Sequence, residues 1–137
     1  MGLILDSSVL IANERRGQTV RQMIERVRFS VGDVESAVSV ISIVELTHGI
    51  YRAKTDADIA RRKAYTDEIC LDLVVHPVSL AIAQLAGRIE GEQASRGISI
   101  AFEDLLIGAT AIHLGFDVAT LNVKHFRTIP GLTTILI

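Results

Sequence analysis

The sequence predicts an α/β fold, a three-layer α/β/α sandwich with a central parallel sheet of four to five strands. Two observations predict it. Short apolar segments alternate with longer ones whose apolar residues recur at helical spacing, the chain order of a parallel sheet with helices on its faces. The first strand candidate also shows no in–out alternation, as expected where both faces are covered. The 137 residues are expected to form one domain over 1–137, long enough to bury a core without staples.

In chain order, Leu3–Leu5 is the first strand, and Asp6-Ser7-Ser8 opens a helix through Val9 to Ala12. A second helix runs from about Thr19 to Phe29, with Val20, Ile24 and Val27 on one stripe, until Gly32-Asp33 breaks it. Val38–Ser42 reads as the second buried strand. Ser42-Ile43-Val44-Glu45 opens a helix reaching about Ala53, and Asp56 to Cys70 is another. Leu71–Val75 is the third strand, closed by Pro77; Ser79 to about Ser95 is helical and ends at Gly97. Ser99 is expected to cap a helix over Ala101–Leu114, which Gly115 stops. Val118-Ala119-Thr120 is the fourth strand and Thr133–Ile137 a fifth, while Asp117 reads as a solvated turn. In such sheets ligands bind outside the carboxyl ends of the strands. Asp6 follows strand one, Glu45 lies just beyond strand two, and Asn122 lies just beyond strand four.

Composition narrows the classes. Nearly half the residues are apolar and 22% are charged, and with no Trp the core must come from aliphatic side chains. The single Cys70 cannot form an internal disulfide and reads as a small core residue, and no Cys/His spacing resembles a zinc site. Neither a signal peptide nor a run of ~18 apolar residues is present, so a cytoplasmic protein away from membranes is expected. A net charge of −2 does not draw the whole protein to nucleic acid. Yet five basic residues lie between Arg15 and Arg28, and five more between Arg52 and Lys63, groups that either hold a polyanion or form solvated helix faces. The mean hydropathy of +0.38 suits a surface covered by a partner.

The residues that carry chemistry are acids, and each has a bland reading. Asp6 fits a helix N-cap. Ser42-x-x-Glu45 fits a capping box. Glu103 and Asp104 fit the first turn of a helix, where negative charge is favoured by about 0.3–1 kcal/mol. Together they are harder to dismiss, because each is embedded in apolar sequence where an unpaired carboxylate is expensive, and no Lys or Arg lies within these segments. A hard divalent cation is the economical compensation, Mg²⁺ above all, which takes oxygen ligands. Gly108 and Ala111 are expected to leave room over that site. Asn122 is a further oxygen ligand or a loop asparagine, and Thr120 orients a carboxylate or ends a strand. His48 and His113 read as packing or surface residues, His76 as part of a turn, and His125 as a possible phosphate contact near Lys124. No Gly-rich phosphate loop or nucleophile elbow is present.

Four motifs resemble the PIN-domain nucleases, specifically the VapC toxins of bacterial VapBC toxin–antitoxin pairs. They are Leu5-Asp6-Ser7-Ser8-Val9-Leu10-Ile11, Ser42-Ile43-Val44-Glu45-Leu46, Glu103-Asp104-Leu105-Leu106-Ile107-Gly108-Ala109-Thr110-Ala111, and Val118-Ala119-Thr120-Leu121-Asn122-Val123-Lys124-His125-Phe126. Their order and spacing match the family, and the likeness covers essentially the whole chain. The resemblance implies a PIN-like fold whose acidic pocket holds Mg²⁺ or Mn²⁺ through Asp6, Glu45 and Asp104. Asn122 stands at the fourth catalytic position, where other PIN domains often have Asp, and Glu103 and Thr120 are supporting candidates. It also implies metal-dependent hydrolysis of RNA phosphodiesters, with Arg15, Arg16 and Lys124 as candidate RNA contacts. A cognate VapB-like antitoxin would place an Arg or Lys in the pocket, and the toxin would pair as a homodimer, forming a heterotetramer or larger assembly with the antitoxin.

Three other classes compete. A phosphate-receiver signalling domain has similar size, and Thr120 and Lys124 fit it superficially. It needs an acidic pair after strand one and a phospho-acceptor Asp after strand three, where Val75-His76-Pro77 stands instead. A phosphatase of the haloacid type needs Asp-x-Asp, but position 8 is Ser. A catalytically silent binding domain would leave the acids as caps only.

Overall fold

The computed structural model describes residues 1–137. Five strands, β1 (Gly2–Leu5), β2 (Glu35–Ser39), β3 (Val74–His76), β4 (Asp117–Thr120) and β5 (Thr134–Leu136), form one sheet in the order β3-β2-β1-β4-β5. Every neighbouring pair is parallel. The sheet therefore grows in one direction from β1 through β2 to β3, and in the other through β4 to β5. Between β1 and β4 lies the switch point, where a crevice opens at the carboxyl ends of the strands.

The helices divide between the two faces. On one lie α1 (Ser7–Arg15), α2 (Val20–Val31), most of α3 (Val40–Arg52) and α4 (Asp56–Asp72); on the other lie α5 (Leu80–Ala94), α6 (Phe102–Leu114) and the one-turn α7 (Val123–Phe126). Successive strand residues feed opposite cores, as the period of two requires. Leu3 and Leu5 pack with Val9, Leu10, Met23 and Ile69, whereas Ile4 packs with Ile82, Ile107, Val118 and Phe126. Leu3, Ile4 and Leu5 are all essentially buried, and each contributes about 1.5–3 kcal/mol of apolar burial. An unbroken apolar strand is thus the sequence signature of these two cores.

Several boundaries differ from the sequence reading for identifiable reasons. The second strand was expected over Val38–Ser42 but ends at Ser39, whose hydroxyl accepts from the Ile41 amide and caps α3. Because Val40 and Ile41 continue the apolar run into the helix, no polar break marks the junction. The third strand starts at Val74, since α4 persists to Asp72. Asp117 is not a turn residue: it belongs to β4 and pairs with Leu3. Ser99 does not cap α6, whose N-cap position is Ala101 without a side-chain bond. Cys70 is exposed rather than part of the core.

Gly108 and Ala111 also play a different part from the one expected. Ala111 is fully buried in the α5–α6 core. A Cβ at Gly108 would lie 2.7 Å from Ile129 Cδ1 and 3.3 Å from Leu132 Cδ2, so this glycine admits the C-terminal segment against α6 instead of leaving room over the acids. Gly115, by contrast, ends α6 as expected, in the left-handed conformation at φ +69. No helix is long and apolar enough to cross a membrane.

Candidate metal centre

A cleft of about 340 Å³ lies at the switch point, lined by Asp6, Ser7, Ser8, Ile11, Glu45, Glu103, Asp104, Asn122 and His125. Four helices and two connections supply it. Asp6 follows β1, Glu45 stands in the second turn of α3, and Glu103 and Asp104 occupy the first turn of α6. Because α6 runs antiparallel to the strands, its N-terminus arrives at their carboxyl ends and brings the two acids there.

Asp6 is only 5% exposed and occupies the N-cap position of α1, yet its side chain makes no capping bond. Its Oδ2 instead accepts two hydroxyl donors, Ser8 Oγ at 2.8 Å and Thr120 Oγ1 at 2.9 Å. A carboxylate only accepts, which fixes these directions, and each hydroxyl in turn accepts a backbone amide: Leu121 N donates to Ser8 Oγ and Asn122 N to Thr120 Oγ1. Oδ2 is thereby fully engaged, and Oδ1 accepts none of these bonds. The Asp6 amide meanwhile extends the β1–β4 ladder by donating to Ala119 O.

Glu45 is likewise free of capping duty. The N-cap of α3 is Ser39, so the Ser42-Glu45 capping box does not form. Glu45 Oε1 accepts from Ser7 Oγ at 2.9 Å, which leaves Ser42 Oγ as the donor in its 2.8 Å contact with Ser7. A relay of two hydroxyls thus aims Glu45. Asp104 Oδ2 lies 3.6 Å from His125 Nδ1, across the turn that α7 creates. That contact was not legible in the sequence, because four residues of helix carry no periodicity.

Electrostatically the acids feel one another. Burial raises the Glu45 pKa above its ordinary value; the Ser7 hydrogen bond opposes this, while the charges of Asp6, Glu103 and Asp104 add to it. Asp104 is raised by burial and then by Asp6 and Glu103, with His125 opposing. No Lys or Arg lines the cleft. Its donors are hard oxygens under mutual repulsion, which is the chemistry that Mg²⁺ or Mn²⁺ satisfies. The residues therefore fit such an ion. No three His, Cys, Asp or Glu side chains already stand at ligand spacing, however. The carboxylates, which repel one another, are turned to hydroxyl and imidazole partners rather than to a common point.

The remaining sequence candidates scatter. Thr120 holds Asp6, and Asn122 lines the cleft with its side chain uninvolved in capping. Exposed Glu103 lies at the rim. Arg15 lines an adjoining groove, whereas Arg16 lies in a different depression with Val9, Arg26 and Leu121, and Lys124 lines none of these. Ser7 and Ser8, the residues that orient two of the acids, were read from the sequence only as a helix start.

Comparison with known proteins gives consistent matches. A sequence model of the family described as "PIN domain" matches residues 3–132. Ribonuclease VapC of Rickettsia bellii is 30% identical over 137 residues, covering 100% of this chain and 97% of that protein. Ribonuclease VapC1 of Rickettsia felis is 29% identical with the same coverage. Among solved structures, VapBC2 from Rickettsia felis bound to a promoter DNA fragment has a similar fold, with TM-score 0.84, 21% identity and 98% of each chain covered. DNA-bound VapBC from Salmonella typhimurium aligns with TM-score 0.83 and 24% identity, over 98% of this chain and 97% of that one.

Proposed function

The chain belongs to the PIN-domain family, and on that premise we propose that it is an endoribonuclease toxin that uses Mg²⁺ or Mn²⁺ and is neutralised by a cognate antitoxin. The observation that carries the reading is the cleft at the sheet's switch point, where Asp6, Glu45 and Asp104 share a field with no Lys or Arg among the lining residues. The ribonuclease names of the relatives and the VapBC assemblies among the structural neighbours support the same activity and the same kind of partner.

Asp6 and Asp104 would hold the ion, and Glu45 would complete the set or accept a proton from water. When bound, the ion supplies Lewis acidity, activating water and offsetting charge on the phosphodiester. The chain's own work is positioning. Thr120 and Ser8 fix the Asp6 carboxylate, Ser7 aims Glu45, and the raised Glu45 pKa suits a proton acceptor working nearer neutrality. Asn122 offers a neutral amide at the rim for a ligand or phosphate oxygen. The protein acts as one PIN domain over 1–137, in the cytoplasm, as a homodimer that forms a heterotetramer or larger complex with a VapB-like protein, whose Arg or Lys would replace the metal's charge.

The test is sequencing of RNA ends after brief expression, beside an Asp104→Asn control, together with cleavage of RNA by the purified protein in Mg²⁺ or Mn²⁺. New ends dependent on Asp104 and on metal are expected. Equal cleavage by the variant, or in excess chelator, would refute the assignment.

A further inference from the structure

We propose that the groove beside the acid cleft, between α1, α3 and α4, is a backbone-binding subsite for single-stranded RNA that presents a neighbouring phosphodiester to the carboxylates. The proposal rests on the ribonuclease reading and adds to it where the substrate lies.

The groove has a volume of about 390 Å³ and shares Glu45 and Ile11 with the acid cleft, so the two form one continuous depression. Its charges are unequal in their commitments. Glu14 is paired with Arg61 at 3.2 Å, and Glu45 is held by Ser7. Arg15, Arg52 and Arg62 have no acidic partner within 4.0 Å; Arg62 donates only to the Gly49 carbonyl. Three guanidinium groups drawn from three helices around one concavity repel one another and are relieved by a polyanion. The floor is fixed by Tyr65, whose hydroxyl donates to Leu10 O at 2.8 Å. A trough with three uncommitted guanidinium groups leading into an acid cleft suits an extended, single-stranded backbone better than a duplex, and such troughs bind without reading sequence.

The test uses the full chain in chelator, where RNA binds without being cut, and a fluorescent single-stranded RNA read by anisotropy across a salt series. The Arg15→Ala/Arg52→Ala double variant is compared with Arg88→Ala/Arg96→Ala, which removes equal charge on and just beyond α5. The groove variant is expected to lose tenfold or more in affinity. Its log K against log salt slope should become shallower by about 1.4, at about 0.7 per lost phosphate contact on a single strand. In Mg²⁺ its KM should rise more than its kcat falls, as for lost uniform binding. Unchanged affinity and slope overturn the subsite whether or not the protein cleaves RNA. Groove-dependent binding by a wild-type protein that cuts nothing keeps the subsite and removes the nuclease reading. A poly-glutamate peptide that binds as tightly as the RNA, and is lost equally in the groove variant, makes the trough a protein-docking site and overturns the proposal.

Discussion

Asp6→Asn separates metal holding from folding, because the structure gives the two Asp6 oxygens different tasks. Oδ2 receives both hydroxyl donors, and the neutral amide oxygen of Asn still receives them, though more weakly. The amide nitrogen then takes the place of Oδ1, turning a donor toward any cation, while one negative charge leaves a cluster in which burial and repulsion already raise Glu45 and Asp104. Relief of repulsion and weaker hydrogen bonds oppose one another, so the variant is expected to be about as stable as the parent in chelator. Metal at a hundredfold above its Kd adds about 2.7 kcal/mol to the parent. An unfolding entropy of about 2.1 cal/mol/K per residue makes each kcal/mol worth about 3–4 °C at this length, so the parent's Tm rises by about 9 °C. If losing the ligand weakens metal binding about a hundredfold, a lower bound taken from orienting partners, the same concentration adds about 0.4 kcal/mol, or about 1 °C. Differential scanning fluorimetry in chelator and in Mn²⁺ reads both numbers. A metal-induced shift as large in Asp6→Asn as in the parent would sink the reasoning.

Ser7→Ala removes the donor to Glu45 Oε1 and strands the buried Ser42 hydroxyl; calorimetric titration should show Mn²⁺ affinity falling about 10–100-fold, and urea unfolding a loss of about 1–3 kcal/mol. Gly108→Val forces two branches onto Ile129 and Leu132, so urea midpoints should report about 1–3 kcal/mol of destabilisation; the metal-induced Tm shift should remain, since the site is not touched. The pH dependence follows from the raised carboxyls. Glu45 and Asp104 carry more protons in the fold than in the unfolded chain above their ordinary values of 4.5 and 3.8. Their contribution to stability is therefore full below those values and is lost as pH rises through the folded-state pKa values. Melting in chelator should show that decline across mildly acidic pH, Mg²⁺ should oppose it at the upper end, and Glu45→Gln/Asp104→Asn should lack it.

Much of this was legible in the sequence because strands buried on both faces write themselves as apolar runs. Leu3-Ile4-Leu5 located β1, and the end of β1 located Asp6. The acids were legible too, but sequence alone left each torn between cap and ligand. Hydrogen bonding removes two of the cap readings, since Asp6 caps nothing with its side chain and Ser39 rather than Ser42 starts α3; Glu103 and Asp104 do stand in the first turn of α6. What could not be read was contact made by the chain folding back on itself. Gly108 looked like open space because its neighbours Ile129 and Leu132 are more than twenty residues away. His125 faced Asp104 only once a single helical turn had formed. Cys70, exposed near the end of α4, shows that residue type alone does not decide burial.

The hydroxyls that grip the Asp6 carboxylate are 112 residues apart, so Ser8 is made long before Thr120. Glu45 arrives early, Asp104 late. A nascent chain still short of β4 already contains every acid, but that edge of β1 is unpaired and Asp6 lacks the Thr120 hydroxyl, so the carboxylate is not yet held in place. For a protein that would cut RNA, this ordering is a safety catch: the acid site is not assembled until β4 has been made and has paired with β1.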